Sequence, residues 1–318
     1  MFLFVFFSLL LVIVVGYWVF WNVTPKGSTN AHSCKKWKLQ DSKPVSKSIT
    51  YLTNNDVNDS TFWVSHGSNG LISLINENGF SSTPDLTVHP SLKSSSRKGS
   101  PNGLCSNLDK KGFEISDEEV FEPADLICVS EDGVIAGFNA SVSPSTFVPM
   151  VDASDQKKSF KRCCIVNQKL YVTEYTHGKI EIYNDTFELI DSFTDAELHS
   201  QGLSPYCIVT DHSFLYVSFL NDIASGTNGS IVKFDLDGKM IQRLISVPCC
   251  NLLVDSDSIV IVNDSKVQRL SKDTGAKEVT FRNEANDYLV VEGCKGLCFG
   301  ANKLVLAQDS SLSLLDPK

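Results

Sequence analysis

The chain has 318 residues, with 42% hydrophobic, 10% aromatic and 20% charged side chains, and 28 Lys and Arg set against 37 Asp and Glu give a formal net charge of −9. Its plentiful aromatic and β-branched residues exclude an intrinsically disordered chain and suffice for a sizeable core. The acidic balance argues against nucleic-acid binding, because no surplus of cations exists to neutralise phosphates.

The first predicted element is a helix. Phe2 to Trp21 holds 20 residues without a charge, about the length that spans the hydrocarbon core of a bilayer. Tyr17, Trp18 and Trp21 crowd its C-terminal end, as interfacial aromatics do. A cleaved signal peptide is the competing reading, but it would follow a basic start and end at a small-residue site, and neither is present. Residues 1–23 are therefore expected to be a transmembrane or signal anchor, 24–36 a linker and 37–318 the folded body. Lys26, Lys35, Lys36 and Lys38 would hold the body in the cytoplasm by the positive-inside tendency. Six sequons, at Asn22, Asn58, Asn139, Asn184, Asn228 and Asn263, and ten cysteines point the other way, to a glycosylated lumenal or extracellular body. The expectation is a single-pass membrane protein facing outward.

The rest of the chain repeats. FWVSHGSNGLISLI from Phe62, LICVSEDGVIAGF from Leu126 and LYVTEYTHGKIEIY from Leu170 share one pattern, which returns from Leu215, Ile259 and Leu304. The starts lie 64, 44, 45, 44 and 45 residues apart. Alternation such as Lys179-Ile180-Glu181-Ile182-Tyr183 has the period of a half-buried strand. Asn78-Gly79, Asp132-Gly133, Asn228-Gly229 and Asp237-Gly238 supply turns. A unit of about 45 residues holding four short strands is the blade of a β-propeller. The fold class expected is all-β, a six-bladed β-propeller behind an N-terminal transmembrane helix.

Two insertions interrupt the repeat. Ser91 to Gly103 is basic and rich in turn residues, and it reads either as a disordered surface excursion or as a functional loop. Asn221 to Asn228 splits the middle strands of the fourth unit. The chain ends before the sixth unit gains an outer strand. Ser48–Thr53 is expected to form the first blade's inner strand, and Trp37–Gln40 is a candidate for the missing outer strand, closing the circle and removing open sheet edges.

Several of these segments resemble a known family. DLICVSEDGVIAGFN, LYVTEYTHGKIEIYNDTFELIDSFTD and GSIVKFDLDGKMIQRL are similar to uncharacterised, mostly bacterial exported proteins that are six-bladed propellers related to the NHL-repeat group. The likeness runs from about Phe62 to Leu315. Lys295-Gly296-Leu297-Cys298 and Asn102-Gly103-Leu104-Cys105 resemble that family's inner-strand W-G-L-A motif, with Trp and Ala replaced. The resemblance implies a fold and export, and no activity.

Cys105, Cys163, Cys164, Cys207, Cys249, Cys250, Cys294 and Cys298 fall in or beside predicted inner strands. Three readings stand: small buried apolar residues, disulfides between neighbouring inner strands, or metal ligands. The residue ending the second strand of each unit is His66, Glu131, Glu174, Phe219, Asn263 and Gln308. By symmetry these form a ring at one mouth of the axial channel, where a ligand would bind. Glu131, Glu174 and Asn263, with Asp264 nearby, could offer calcium its oxygen ligands, an arrangement similar to the metal seat of propeller lactonases. No nucleophile elbow, phosphate loop or zinc helix motif is present. Function is thus expected to be binding or scaffolding, with a protein, peptide or glycan partner. No cofactor is required, and the alternative is a calcium-dependent lactonase- or esterase-like hydrolase.

Overall fold

The computed structural model describes residues 31–32, 34–38, 46–52, 61–76, 84–117, 119–221, 228–255, 257–263, 266–280, 282–283, 296–300, 303–308 and 311–315, with side-chain surroundings between 62 and 278. The apolar stretch Phe2–Trp21 lies outside them. Among the described residues no helix is long and apolar enough to cross a membrane.

Strand after strand pairs with its sequence neighbour. The first sheet contains Ser46–Leu52, Thr61–His66, Leu71–Asn76 and Leu86–Thr87. The second contains Pro101–Ser106, Leu126–Ser130, Val134–Phe138 and Val148–Asp152. The third is built from Phe160–Val166, Lys169–Glu174, Lys179–Tyr183 and Leu189–Phe193. The fourth is built from Ser204–Thr210, Leu215–Leu220, Gly229–Phe234 and Met240–Ile245. Leu252–Val254, Ser258–Asn263, Lys266–Ser271 and Lys277–Thr280 make the fifth. A further sheet joins Gly296–Gly300, Lys303–Gln308 and Ser311–Leu315 to Cys34–Lys38 from the start of the chain. That last strand begins at Cys34, so it reaches back into the segment read as linker. All of these sheets are antiparallel and four-stranded.

Hairpin geometry follows the turn residues. Between the first two strands of the third sheet, Asn167 and Gln168 both take positive φ, 50° and 57°, as a two-residue hairpin loop demands. Inner strands approach closely where glycine permits it. A Cβ on Gly103 would meet the Arg162 Cα at 2.7 Å, so the second and third inner strands pack backbone to backbone only because position 103 has no side chain.

Successive residues of each strand face alternate neighbouring sheets. Leu126 and Cys128 pack toward the first sheet with Ile72 and Leu104. Ile127 and Val129 pack toward the third with Leu170 and Val172. Tyr171 and Ile180 meet Leu215 and Val217 of the fourth sheet. Tyr216 and Leu220 meet Ile259 and Ile261 of the fifth. The core is therefore a series of apolar layers between sheets rather than one central mass, the architecture of a β-propeller.

Candidate functional site

All inner strands begin on one rim, because each antiparallel hairpin returns the second strand to that side. The rim also carries Ser91–Gly103 and the two ends, Asn221 and Asn228, of the second insertion. Ser91–Gly103 is fastened there: Ser91 N donates to Asp132 Oδ2 at 2.7 Å and Leu92 N to Asp152 Oδ2 at 2.7 Å. Lys93 pairs with Asp155, and Gly99 N donates to Val88 O at 3.1 Å. The segment is thus held to the second sheet and its flanking turns by three carboxylates, unlike a disordered excursion.

At the rim every described inner strand of the first four sheets carries a β-bulge. The register slips between Ser46 and Ser48, at Asn102, between Phe160 and Cys163, and between Pro205 and Cys207. The bulges hold Lys47, Asn102 and Tyr206 as single extra residues, and in the third sheet Lys161 and Arg162 together oppose Thr173. Bulges re-aim side chains and often stand beside binding sites. Buried hydroxyls on the second strands secure them. Ser65 Oγ donates to Asn102 O at 3.1 Å, and Thr173 Oγ1 accepts from Arg162 N at 2.9 Å. The same Thr173 hydroxyl lies 2.9 Å from Tyr206 O, and Ser218 Oγ accepts from Cys207 N at 3.1 Å.

The bulged residues of the second, third and fourth sheets converge on the axis. Arg162 Nη1 donates to Asn102 Oδ1 at 2.7 Å and to Lys161 O at 2.9 Å, while Nη2 reaches Asn251 Oδ1 at 3.4 Å. One guanidinium therefore ties the second, third and fifth sheets together. It also stacks over the Tyr206 ring at 5.6 Å. Beside it, Lys161 Nζ pairs with Glu131 Oε1 at 3.0 Å and lies 5.2 Å from the Tyr175 ring. Tyr175 meets Tyr206 edge to face at 6.3 Å and donates its hydroxyl to Asn221 O at 3.2 Å, at the start of the second insertion. Burial pushes the Tyr206 hydroxyl up to about 12, against the lowering pull of Arg162, so it stays a neutral donor in the physiological range. Lys161 and Arg162 are buried, whereas Glu131 keeps 27% side-chain exposure. Charges thus sit deep, with an aromatic and carboxylate lip above them.

The residues expected at the mouth divide. Glu131 belongs to the axial cluster, where Asn102 Nδ2 also donates to it at 3.2 Å. Its register is one residue beyond the expected ring, since Ser130 opposes Pro101 as Glu174 opposes Phe160. The offset is countable along the strand itself: Glu131 stands five residues after Leu126, whereas Glu174 stands four after Leu170. Glu174 is fully buried and caps its own turn, accepting from Ser159 N, Thr176 N and His177 N at 3.2, 2.9 and 2.8 Å. His66 is buried with Nε2 3.0 Å from Ser73 Oγ. Phe219 is a correction: it is fully buried between the third and fourth sheets, against Phe234 at 6.2 Å, because its position faces the preceding sheet and not the channel. Asn263 is partly buried, its Oδ1 enclosed with no hydrogen-bond partner among the described residues. The side chain of Gln308 and all of Asp264 lie outside the described residues.

Glu131, Glu174 and Asn263 thus take separate surroundings. Among the described residues no group of three or more His, Cys, Asp or Glu is placed to hold a metal ion. Calcium does not fit these two carboxylates as they stand: a lysine ammonium occupies one, and backbone N–H groups fill the other. Of the sequons, Asn139 and Asn184 engage their Nδ2 atoms, with Pro123 O at 2.8 Å and Glu188 Oε2 at 2.9 Å. Asn228 is exposed. Asn22 and Asn58 lie outside the described residues. The sequence reading overlooked Asn102, Lys161, Arg162, Tyr175 and Tyr206. For Lys161, Arg162 and Tyr206 the signal is a cationic pair or an aromatic at the start of an inner strand, where Asn102 replaces the motif's Trp; Tyr175, just past a second strand, carries none.

Layered antiparallel sheets opening a polar throat on one rim define a β-propeller. No family model matches the chain. Two curated relatives come from Acanthamoeba polyphaga mimivirus. Uncharacterized protein R640 is 24% identical over 159 residues, covering 46% of this chain and 30% of that protein. Uncharacterized protein L690 is 24% identical over 161 residues, covering 46% of this chain and 43% of that protein. The match thus spans less than half the length of either relative. Both are viral, which departs from the mostly bacterial membership expected. Among solved structures, the crystal structure of the nidogen/laminin complex contains a chain 15% identical, with a TM-score of 0.52, covering 76% of this chain and 82% of that one. That likeness shows the propeller fold alone.

Proposed function

We propose that this chain is a binding module, a six-bladed propeller that receives a protein or peptide partner at the axial mouth of its loop-rich rim. The observation that carries it is the convergence of bulged inner-strand residues, with Arg162, Lys161, Tyr175 and Tyr206 gathered beside the partly open Glu131. A preorganised floor of buried cations and rings, with an adaptable lip, suits recognition of a protruding side chain. The similar propeller in the nidogen/laminin complex comes from an assembly of two proteins. A ring of six blades is supported by the pairing of Cys34–Lys38 with Ser311–Leu315 and by the contact of Gly296–Gly300 with Ser46–Leu52. The body, 37–318, stands outside the cytoplasm behind the anchor at 1–23, a reading supported by the apolar stretch and the sequons.

Display selection from a random peptide library against the full chain tests the site. Selected peptides are expected to lose at least tenfold in affinity for Tyr175→Ala or Glu131→Gln, and to keep it for Lys169→Ala on the opposite rim. Equal binding to all three variants would place the partner elsewhere. Topology is read separately: glycosidase treatment of the expressed chain should increase its mobility, chiefly through the exposed Asn228. An unchanged band would return the body to the cytoplasm.

A further inference from the structure

Cysteine placement carries an inference independent of any ligand. Cys105 lies on the inner strand of the second sheet and Cys163 on that of the third, and their Sγ atoms are 3.3 Å apart across the layer between the sheets. Alternation isolates this pair: Cys128 packs toward the first sheet and Cys164 toward the fourth. The close packing at Gly103 brings the two strands together. The sulfurs need move only roughly 1.2 Å to reach disulfide bonding distance of about 2.05 Å, within the reach of small side-chain rotations.

We infer that Cys105 and Cys163 are a cross-blade disulfide site, joined when the chain folds in the presence of a disulfide oxidant. With oxidised glutathione, one cysteine thiolate attacks a glutathione sulfur and releases one glutathione thiolate. The second cysteine thiolate then attacks the resulting mixed disulfide and releases the other. Two electrons pass to glutathione, and two protons leave the protein thiols. Both cysteines are buried, at 8% and 6% exposure, so the oxidant meets them before the two sheets dock. The hydrogen bond from Cys163, with burial, holds the Cys105 thiol well above the ordinary range, which further slows exchange in the folded protein. The bond is thus installed during folding, not added afterwards.

The test is refolding the full chain in a glutathione redox buffer, followed by alkylation and non-reducing peptide mapping. A linked peptide pair containing Cys105 and Cys163 is expected, together with a rise in Tm of roughly 5–10 °C over the reduced protein, because the bond closes a loop of about 60 residues. Cys105→Ser should abolish that rise and Cys128→Ser should keep it. Folded, reduced protein given the same buffer should form the link at least tenfold more slowly than refolding protein. The inference is overturned if both thiols are alkylated after oxidative refolding, or if either maps to another cysteine. Mapping of the wild-type chain decides the matter even if a variant does not fold.

Discussion

Arg162 Nη2 and Asn251 Oδ1 lie 3.4 Å apart across the propeller axis, linking inner strands that are 89 residues apart in the chain. The same guanidinium bonds Asn102 Oδ1 at 2.7 Å. A propeller is held chiefly by contacts between sequence neighbours, and this residue adds a contact that skips a sheet. Arg162→Met should therefore cost about 2–4 kcal/mol, since it takes a charged donor away from the buried side-chain oxygens of Asn102 and Asn251. Urea denaturation monitored by tryptophan fluorescence measures it.

Thr173 serves the bulge that aims Arg162. Its hydroxyl accepts from Arg162 N and lies 2.9 Å from Tyr206 O on the next sheet. Thr173→Val keeps shape but leaves buried backbone groups unmatched, for a loss of about 1–3 kcal/mol. A variant as stable as the parent would show that the hydroxyl is dispensable.

Phe219 is core and not channel. Phe219→Ala should destabilise the fold by about 3–5 kcal/mol, as expected for a fully buried ring. Selected peptides should bind the folded fraction of this variant with unchanged affinity, a split that titration calorimetry can read.

Metal removal should do little. Because Lys161 occupies Glu131 and N–H donors fill Glu174, a chelator is expected to leave the Tm unchanged, and added calcium should not raise it. A calcium-dependent rise in differential scanning fluorimetry would support the hydrolase alternative.

Acid should find a weak point on the opposite rim. Burial alone would raise the Asp211 carboxyl, but hydrogen bonds from Lys272, Phe214 N, Tyr216 and Ser213 N bring it down to about 2. A depressed folded pKa gives stability that is present above the unfolded value of about 4 and lost as pH falls toward 2. The contribution is about 1–2 kcal/mol once its remaining solvent contact is discounted. Asp211→Asn should be weaker than the parent at pH 7, with most of that gap closed at pH 2, as denaturant titrations at both values can check.

The sequence alone determined the local order of this protein. Near-equal spacing, period-two alternation and turn residues define each hairpin, since these depend only on neighbours in the chain. They also placed Cys105, Cys163 and Cys207 on inner strands. Only the tertiary structure decided where side chains point. Glu131, one residue past the Ser130 that matches Glu174, turns into the axial cluster with Lys161, whereas Glu174 is buried in its own turn. Bulges, invisible to alternation, turned Asn102, Arg162 and Tyr206 toward the axis. A strand's face flips with every residue, so the address of a functional side chain depends on register, which pairing fixes and composition does not.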